Sequence, residues 1–239
     1  MNAMVLAAGK GTRLGSLTQS FPKPMIPLNG KPILGHVLRL LKRHGVHKVV
    51  INLHHFPQPI IKYVGNGRKW NLEVVYSREK KLMGTAGGVK KAERHFPGTF
   101  LVYYGDNFST YRISSLVKFH RRHKGVATIG LFKGQEANPS LSGLVVLNGE
   151  GRVKEFLEKP DPRKAAKKKG WVNAGIYVFE PEIFRFIPKG KVRDFGRDIF
   201  PKLLKANQKV YGYVTRSYVR GIDTPGRLQQ VKKELRVKS

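Results

Sequence analysis

The feature that most constrains the fold of this chain is an alternation. Apolar runs of strand length recur between amphipathic stretches across the first 125 of its 239 residues. "MNAMVLAA" reads as a strand, "PILGHVLRLLKRHG" as a helix with Pro32 in its first turn and Gly45 as its stop, and "HKVVINL" as a second strand. "PIIKYVGNG" reads as a weaker short helix, "NLEVVYS" as a strand, "TAGGVKKAERHF" as a helix opened by Thr85, "TFLVYYGD" as a strand and "ISSLVKFHRRHKG" as a helix. This β-α order predicts an α/β architecture with a mainly parallel sheet, helices on both faces and ligands at the carboxyl ends of the strands.

After residue 125 the rhythm changes. "VATIGLFKG", "SGLVVLN" and "VKEFLEK" follow closely, separated by the turn signals "NPSLSG" and "NGEG", which predicts antiparallel additions. The strand "NAGIYVF", helices near 180–187 and 196–206, the strand "KVYGYVT" and a closing helix from about Pro225 complete the chain. No internal repeat, low-complexity segment or dividing linker interrupts it, so a single domain over 1–239 is expected.

Composition narrows the chemistry. A 40% hydrophobic content is ample for a buried core. The N-terminus enters directly into a strand without a signal-peptide pattern, and no run of some 18 apolar residues occurs, so a soluble cytoplasmic protein without a membrane partner is expected. The absence of cysteine excludes disulfides, thiolate metal sites and thiol nucleophiles. Lys and Arg number 46 against 15 Asp and Glu, and the resulting +31 favours anionic partners. The cations are dispersed, densest in "RKAAKKKG" at 163–170, and no RRM, zinc-finger or helix-turn-helix signature accompanies them. Nucleic acid is therefore not the expected partner despite the charge, since basic faces are usually solvated ones. His54, His55, His120 and His123 lack a third ligand-like neighbour and read as surface or structural residues.

The first strand empties into "LAAGKGTRLGSLTQSFPKPM", residues 6–25. Glycines at such a position let backbone N–H groups approach phosphate oxygens, and Arg13 and Lys23 can add charge-assisted hydrogen bonds. The Walker A pattern is absent, and the spacing of Gly9, Gly11 and Gly15 misses the dinucleotide fingerprint by one residue. Alone, this loop supports only an anion site or a glycine-rich turn.

The longer string "LAAGKGTRLGSLTQSFPKPMIPLNGKPIL" resembles the N-terminal signature of the sugar-1-phosphate nucleotidylyltransferases. "MGTAGGVKKA" looks like that family's base-recognition segment, "YYGDN" its metal-binding G-D, "FLEKP" its sugar-phosphate E-K-P, and "NAGIYVFEP" the N-A-G-I-Y that follows. The resemblance implies a Rossmann-like, glycosyltransferase-A-like three-layer fold with a small antiparallel sugar-binding addition. Residues 1–125 would form the nucleotide-binding part and 126–239 the sugar-phosphate part. It implies Mg²⁺-dependent transfer of a nucleotidyl group from a nucleoside triphosphate to a sugar 1-phosphate, by in-line attack without a covalent intermediate.

By the same resemblance Arg13 matches the arginine on the departing pyrophosphate, Lys23 the lysine bridging the reacting phosphates, and Asp106 a metal ligand. Ala7, Ala8, Gly9, Gly11, Thr12, Arg13, Gly84, Thr85 and Ala86 would hold the nucleotide. Gly143, Glu158, Lys159, Asn173 and Gly175 would hold the sugar phosphate. The second metal ligand departs from the family form: "RGIDTPGRL" places Asp223 two positions late, so either it completes the metal site or it caps the helix starting at Thr224 or Pro225. "GTAGG" leans to GTP with a mannose- or heptose-type phosphate, whereas "IDT" leans to cytidylyl relatives; uridylyl and thymidylyl transfer to glucose 1-phosphate, choline-phosphate cytidylyl transfer, and a silent nucleotide-sugar sensor are the alternatives. The short stretch after the final helix predicts no appended β-helix or acyltransferase domain, and self-association is left open.

Overall fold

The computed structural model describes residues 1–19, 21–133 and 142–236. In chain order it contains β1 (Asn2–Leu6), β2 (Pro27–Leu28), β3 (Lys31–Pro32), α1 (Ile33–Arg43), β4 (Lys48–Leu53), α2 (Pro57–Val64), β5 (Glu73–Arg78), α3 (Gly84–Lys91) and β6 (Phe100–Tyr104). There follow β7 (Asn107–Ser109), α4 (Ile113–His123), β8 (Ala127–Phe132), β9 (Gly143–Leu147), β10 (Val153–Glu158), α5 (Pro162–Ala166), β11 (Trp171–Phe179), α6 (Phe200–Lys205), β12 (Val210–Thr215), β13 (Val219–Gly221) and α7 (Pro225–Arg236). The chain forms two compact units and passes between them four times: Met1–Leu82 with Tyr103–Thr110 and Tyr218–Ser239, and Met83–Val102 with Tyr111–Ser217. Each unit draws on both of the consecutive parts expected from the sequence.

The first unit is built on parallel strands. β1 pairs with β4 from Asn2↔Lys48 onward, and β4 with β5 from Lys48↔Glu73. Met4, Val5, Val49, Val50 and Ile51 are fully buried, as a β-branched run covered on both faces should be. Helix α1 buries Leu34, Val37, Leu38 and Leu41, the i, i+3, i+4, i+7 stripe of an amphipathic helix, and stops before Gly45 at φ 78°. The same unit holds a short antiparallel ladder that the sequence reading did not anticipate, in which Asn107 faces Gly221 and Ser109 faces Val219 across β7 and β13. Strands of three residues carry too little alternation to be read in advance.

The second unit carries the antiparallel additions. β11 pairs antiparallel with β8 and β9, β9 pairs antiparallel with β10, and β12 runs parallel to β8. Its core is aromatic: Phe156, Tyr177, Phe179, Phe195 and Phe200 are buried, with Phe156 and Phe200 centroids 4.8 Å apart and Phe179 and Phe195 4.9 Å apart.

Two expected helices differ in kind. The segment near 180–187 is a 3₁₀ helix, Pro181–Phe186, and the segment near 196–206 opens with a π-turn, Phe195–Ile199, before α6. Pro201 lacks the N–H that regular α geometry would use at the join. The helix expected from Thr85 begins at Gly84 and ends at Lys91, with a separate 3₁₀ turn at Glu93–His95. Most of the turn signal "NPSLSG" lies outside the described residues. Among the described residues no helix is long and apolar enough to cross a membrane.

Candidate active site

In the first unit, three separate pieces of chain deliver charge to one point. After β6, Gly105 N–H donates to the carbonyl of Leu6 at 2.9 Å, so Asp106 leaves the sheet beside the end of β1. The β7–β13 ladder and the Ile222 N–H bond to the Asp106 carbonyl, 3.2 Å, then bring Asp223 alongside. Lys23 arrives in the 3₁₀ turn Lys23–Met25, whose backbone is preset by flanking prolines and closed by the Met25 N–H to Pro22 carbonyl bond of 2.8 Å. The Lys23 ammonium donates to Asp106 Oδ2 and, at 2.6 Å, to Asp223 Oδ1; Arg13 reaches the same Asp223 oxygen at 3.2 Å.

Lys23 is 7% exposed, unusual for a lysine. Burial alone depresses an ammonium's pKa, but the charges and hydrogen bonds of Asp106 and Asp223 outweigh it, and Lys23 is held above its ordinary value. It therefore stays charged throughout the neutral range.

Asp223 does not serve as the cap that the sequence left open as an alternative. The hydroxyl of Thr224 accepts from Arg227 N–H at 3.2 Å, the side-chain bond of an N-cap on α7, while the Asp223 carboxylate faces Lys23 and Arg13. Asp106 and Asp223 are the pair that could hold a divalent ion. Among the described residues no group of three or more His, Asp or Glu converges on a metal position. Two carboxylates completed by water and phosphate oxygens suit Mg²⁺, which keeps much of its own hydration.

The glycine loop lies at the carboxyl end of β1. Among the described residues the N–H groups of Ala8, Gly9, Lys10 and Gly11 have no hydrogen-bond partner, and Gly9, Lys10, Thr12 and Arg13 are exposed. A run of unsatisfied N–H groups beside an arginine suits an anion. Ala7 differs: its N–H donates to Asn52 Oδ1 at 2.7 Å, and Asn52 Nδ2 in turn donates to Glu79 Oε1 at 2.7 Å. Any ligand contact at Ala7 is left to its carbonyl.

In the second unit, Gly84, Thr85 and Ala86 open α3 against the segment 193–195. Gly84 has φ +73°, and a Cβ there would run into the Arg193 carbonyl, so only glycine fits. Arg193 O accepts from Ala86 N–H and Gly87 N–H at 2.9 and 3.1 Å, and Asp194 Oδ1 accepts from Thr85 N–H at 3.0 Å. These helix-start donors are thus held by protein rather than left free for a ligand.

The residues expected to hold the sugar phosphate also gather in this unit. Glu158 on β10 faces Gly143 on β9, and a Cβ on Gly143 would stand 3.3 Å from that of Asn173. The register of β11 slips between Asn173 and Tyr177, a bulge in which Gly175 takes φ 65° and donates its N–H to Asn173 Oδ1 at 3.0 Å. Asn173 Nδ2 donates to the Tyr177 hydroxyl at 2.8 Å, which fixes the amide. Lys159 is exposed at φ 45°, its N–H bonded to Ser142 O at 3.2 Å. Glu158 lies against Gly196, where a Cβ would overlap its carboxylate; burial holds its pKa above the usual range against the lowering pull of Lys159, with Asp194 adding to the rise.

Sequence reasoning missed Asn52 and Glu79, which anchor the loop root, and Arg193, Asp194 and Gly196, which hold the α3 turn and Glu158. The run "RDFGRDIF" around the last three offered polar residues inside an aromatic stretch, the one signal available. Of the four histidines read as surface or structural, His120 is buried between Thr128, at 2.8 Å, and Glu180, at 3.0 Å, and burial lowers its pKa despite that carboxylate.

Parallel strands that end in a glycine loop define an α/β fold, and solved structures share it. A putative glucose-1-phosphate thymidylyltransferase from Bacillus anthracis, in complex with a sucrose, superposes with TM-score 0.87 at 21% identity, covering 99% of this chain and 95% of that one. HddC from Yersinia pseudotuberculosis complexed with GMP-PN gives 0.81 at 24% identity, covering 98% and 99%. The chain belongs to the nucleotidyl transferase family, whose model matches residues 2–220. It is 37% identical over 223 residues to a UTP–glucose-1-phosphate uridylyltransferase of Synechocystis sp., covering 88% of this chain and 57% of that protein. It is 36% identical over 227 residues to a mannose-1-phosphate guanylyltransferase of Mycobacterium tuberculosis, covering 94% and 62%. The chain thus spans about three-fifths of the length of these curated relatives.

Proposed function

We propose that this protein transfers a nucleotidyl group from a nucleoside triphosphate to a sugar 1-phosphate, releasing pyrophosphate and forming a nucleotide sugar. The observation that carries the reading is the convergence of Lys23, Asp106, Asp223 and Arg13 beside a glycine loop whose N–H groups from Ala8 to Gly11 lack partners among the described residues. The sugar phosphate oxygen attacks the α-phosphorus in line, the bond to the β-phosphate oxygen breaks, and pyrophosphate leaves. The protein's part is placement and charge. Lys23 holds a positive charge where the α-phosphate and the incoming phosphate meet. Arg13, exposed beside Asp223, meets the charge that develops on the leaving pyrophosphate. Mg²⁺ held by Asp106 and Asp223 would neutralise phosphate oxygens. Within the second unit, Lys159, Glu158, Asn173 and the Gly175 bulge are the residues proposed to hold the sugar phosphate, and the Gly84–Ala86 turn the one proposed to meet the base.

GTP with a mannose- or heptose-type 1-phosphate is the first pair to test, supported by the "GTAGG" segment and the 36% identical guanylyltransferase. UTP with glucose 1-phosphate is the second, supported by the 37% identical uridylyltransferase. Pyrophosphate release should be followed for the purified protein with Mg²⁺ against a panel of triphosphates and sugar 1-phosphates. Turnover with one pair is expected; no turnover with any pair overturns the proposal.

A further inference from the structure

A second concentration of chemistry in the first unit has no place in the transfer reaction. A groove of about 540 Å³ is lined by Arg39, Lys42, Arg43, Tyr63, Lys69 and Trp70, a volume within the roughly 300–1,000 Å³ of ligand sites. Arg39, Lys42 and Arg43 stand at i, i+3 and i+4, so they share one face of α1. Lys69 comes from the 3₁₀ turn Arg68–Trp70.

Two rings lie among these cations, Tyr63 and Trp70, with centroids 5.4 Å apart and planes at 59°. Lys69 Nζ sits 4.6 Å from the Tyr63 centroid and 5.3 Å from that of Trp70, and the Arg39 guanidinium lies 5.7 Å from Trp70. The rings are held in place. Trp70 Nε1 donates to Val64 O at 3.3 Å, and Tyr63 rests on Gly35, where any side chain on α1 would strike its hydroxyl.

Among the described residues none of the four cations is ion-paired to a carboxylate. Complementing the C-terminal dipole of α1 accounts for Lys42 and Arg43 in its last turn, but not for Arg39 and Lys69 over the rings. Four like charges without a carboxylate partner repel one another, and a polyanion that also carries flat apolar surfaces relieves the repulsion and covers the partly exposed rings.

We propose that this groove binds single-stranded nucleic acid, with a base against Trp70 and Tyr63 and successive phosphates on Arg39, Lys42, Arg43 and Lys69. A duplex is disfavoured because pairing withholds the base faces the rings require. A free nucleotide would use only part of the cationic face, whereas the chain's +31 continues to attract a backbone beyond the groove.

The chain has two tryptophans, so Trp171→Phe leaves Trp70 as the sole indole reporter. In that background, titration of the full chain with a labelled ten-nucleotide deoxythymidine strand should quench Trp70 saturably, in step with the anisotropy of the strand. Affinity should fall with salt on a log–log slope of about −2 to −3, as three or four phosphate contacts require. Trp70→Leu should weaken binding about tenfold. Lys42→Glu with Arg43→Glu should weaken it at least as much, while Lys164→Glu with Lys167→Glu, the same charge change in the densest basic run, should cost less than about threefold. Binding that leaves Trp70 fluorescence unchanged overturns the proposal, as does equal weakening by both charge reversals. So does a free nucleoside triphosphate that displaces the strand from Trp70 at equal affinity.

Discussion

Replacing Lys23 by methionine keeps the length of the buried stem and deletes its charge. Each ammonium–carboxylate attraction is about 4 kcal/mol at 4 Å and an effective dielectric near 20. In the folded protein these attractions more than offset the loss of hydration at Lys23, leaving its pKa raised. Deletion leaves two carboxylates without the cation they share. Breaking a fully buried pair costs about 3–5 kcal/mol. Here the Asp106 and Asp223 side chains are 27% and 23% exposed, and Arg13 remains beside Asp223. Solvent screening lowers the expected loss to about 2 kcal/mol, which for this chain length is a fall of about 4 °C in Tm.

The pH dependence separates charge from packing. Because the folded pKa of Lys23 lies above its unfolded value, the stability it adds is intact below the unfolded pKa and is lost as pH rises through the folded one. The gap between wild type and Lys23→Met should therefore be constant from about pH 7 to 9 and narrow above about pH 10.5. Urea unfolding followed by circular dichroism at about pH 8 and pH 11 measures it. An undiminished gap at the higher pH would assign the loss to the stem, and no gap at either would refute the ion-pair account.

Asp223→Asn should reduce turnover about tenfold or more with a smaller fall in Tm than Lys23→Met, because Asp106 keeps Lys23 paired, whereas Thr224→Ala should cost about 1 kcal/mol of stability and leave the rate intact; pyrophosphate-release kinetics and melting curves on the two variants check this, and an Asp223→Asn variant that loses stability at an intact rate would return Asp223 to the helix end. Asp194→Ala removes the acceptor of the Thr85 N–H, so about 1–2 kcal/mol of stability should be lost together with a shift in preference among triphosphates, read as kcat/KM for each. Glu158→Gln should stabilise the protein slightly at about pH 8, because a carboxylate whose folded pKa is raised loses stability on ionising; melts at about pH 4 should show the advantage gone, while the KM for sugar phosphate rises.

The elements that set the architecture were legible because their apolar spacing is regular. Leu34, Val37, Leu38 and Leu41 announce α1, and "VVIN" and "EVVY" announce parallel strands. The ladder of β7 and β13 was not legible, since three residues a side give no period, yet it brings Asp223 to Asp106. Lys23 and Asp106 could be singled out by motif. That Asp106 and Asp223 would meet at the Lys23 nitrogen depends on contacts 83 and 200 positions apart in sequence, which no local pattern encodes. Asp194 escaped notice for a similar reason, because its partner Thr85 lies 109 positions away.

The relay from Ala7 through Asn52 to Glu79 runs in only one sense. Asn52 must turn its oxygen to the Ala7 N–H and its nitrogen to Glu79, because the flipped amide would set donor against donor and acceptor against acceptor. An aspartate, which differs by a single terminal atom, cannot stand in for it, since a second carboxylate would face Glu79 in a place where both residues are buried. The direction of one amide thus fastens the ends of three neighbouring strands to one another, and the glycine loop departs from a root that the sheet itself keeps still.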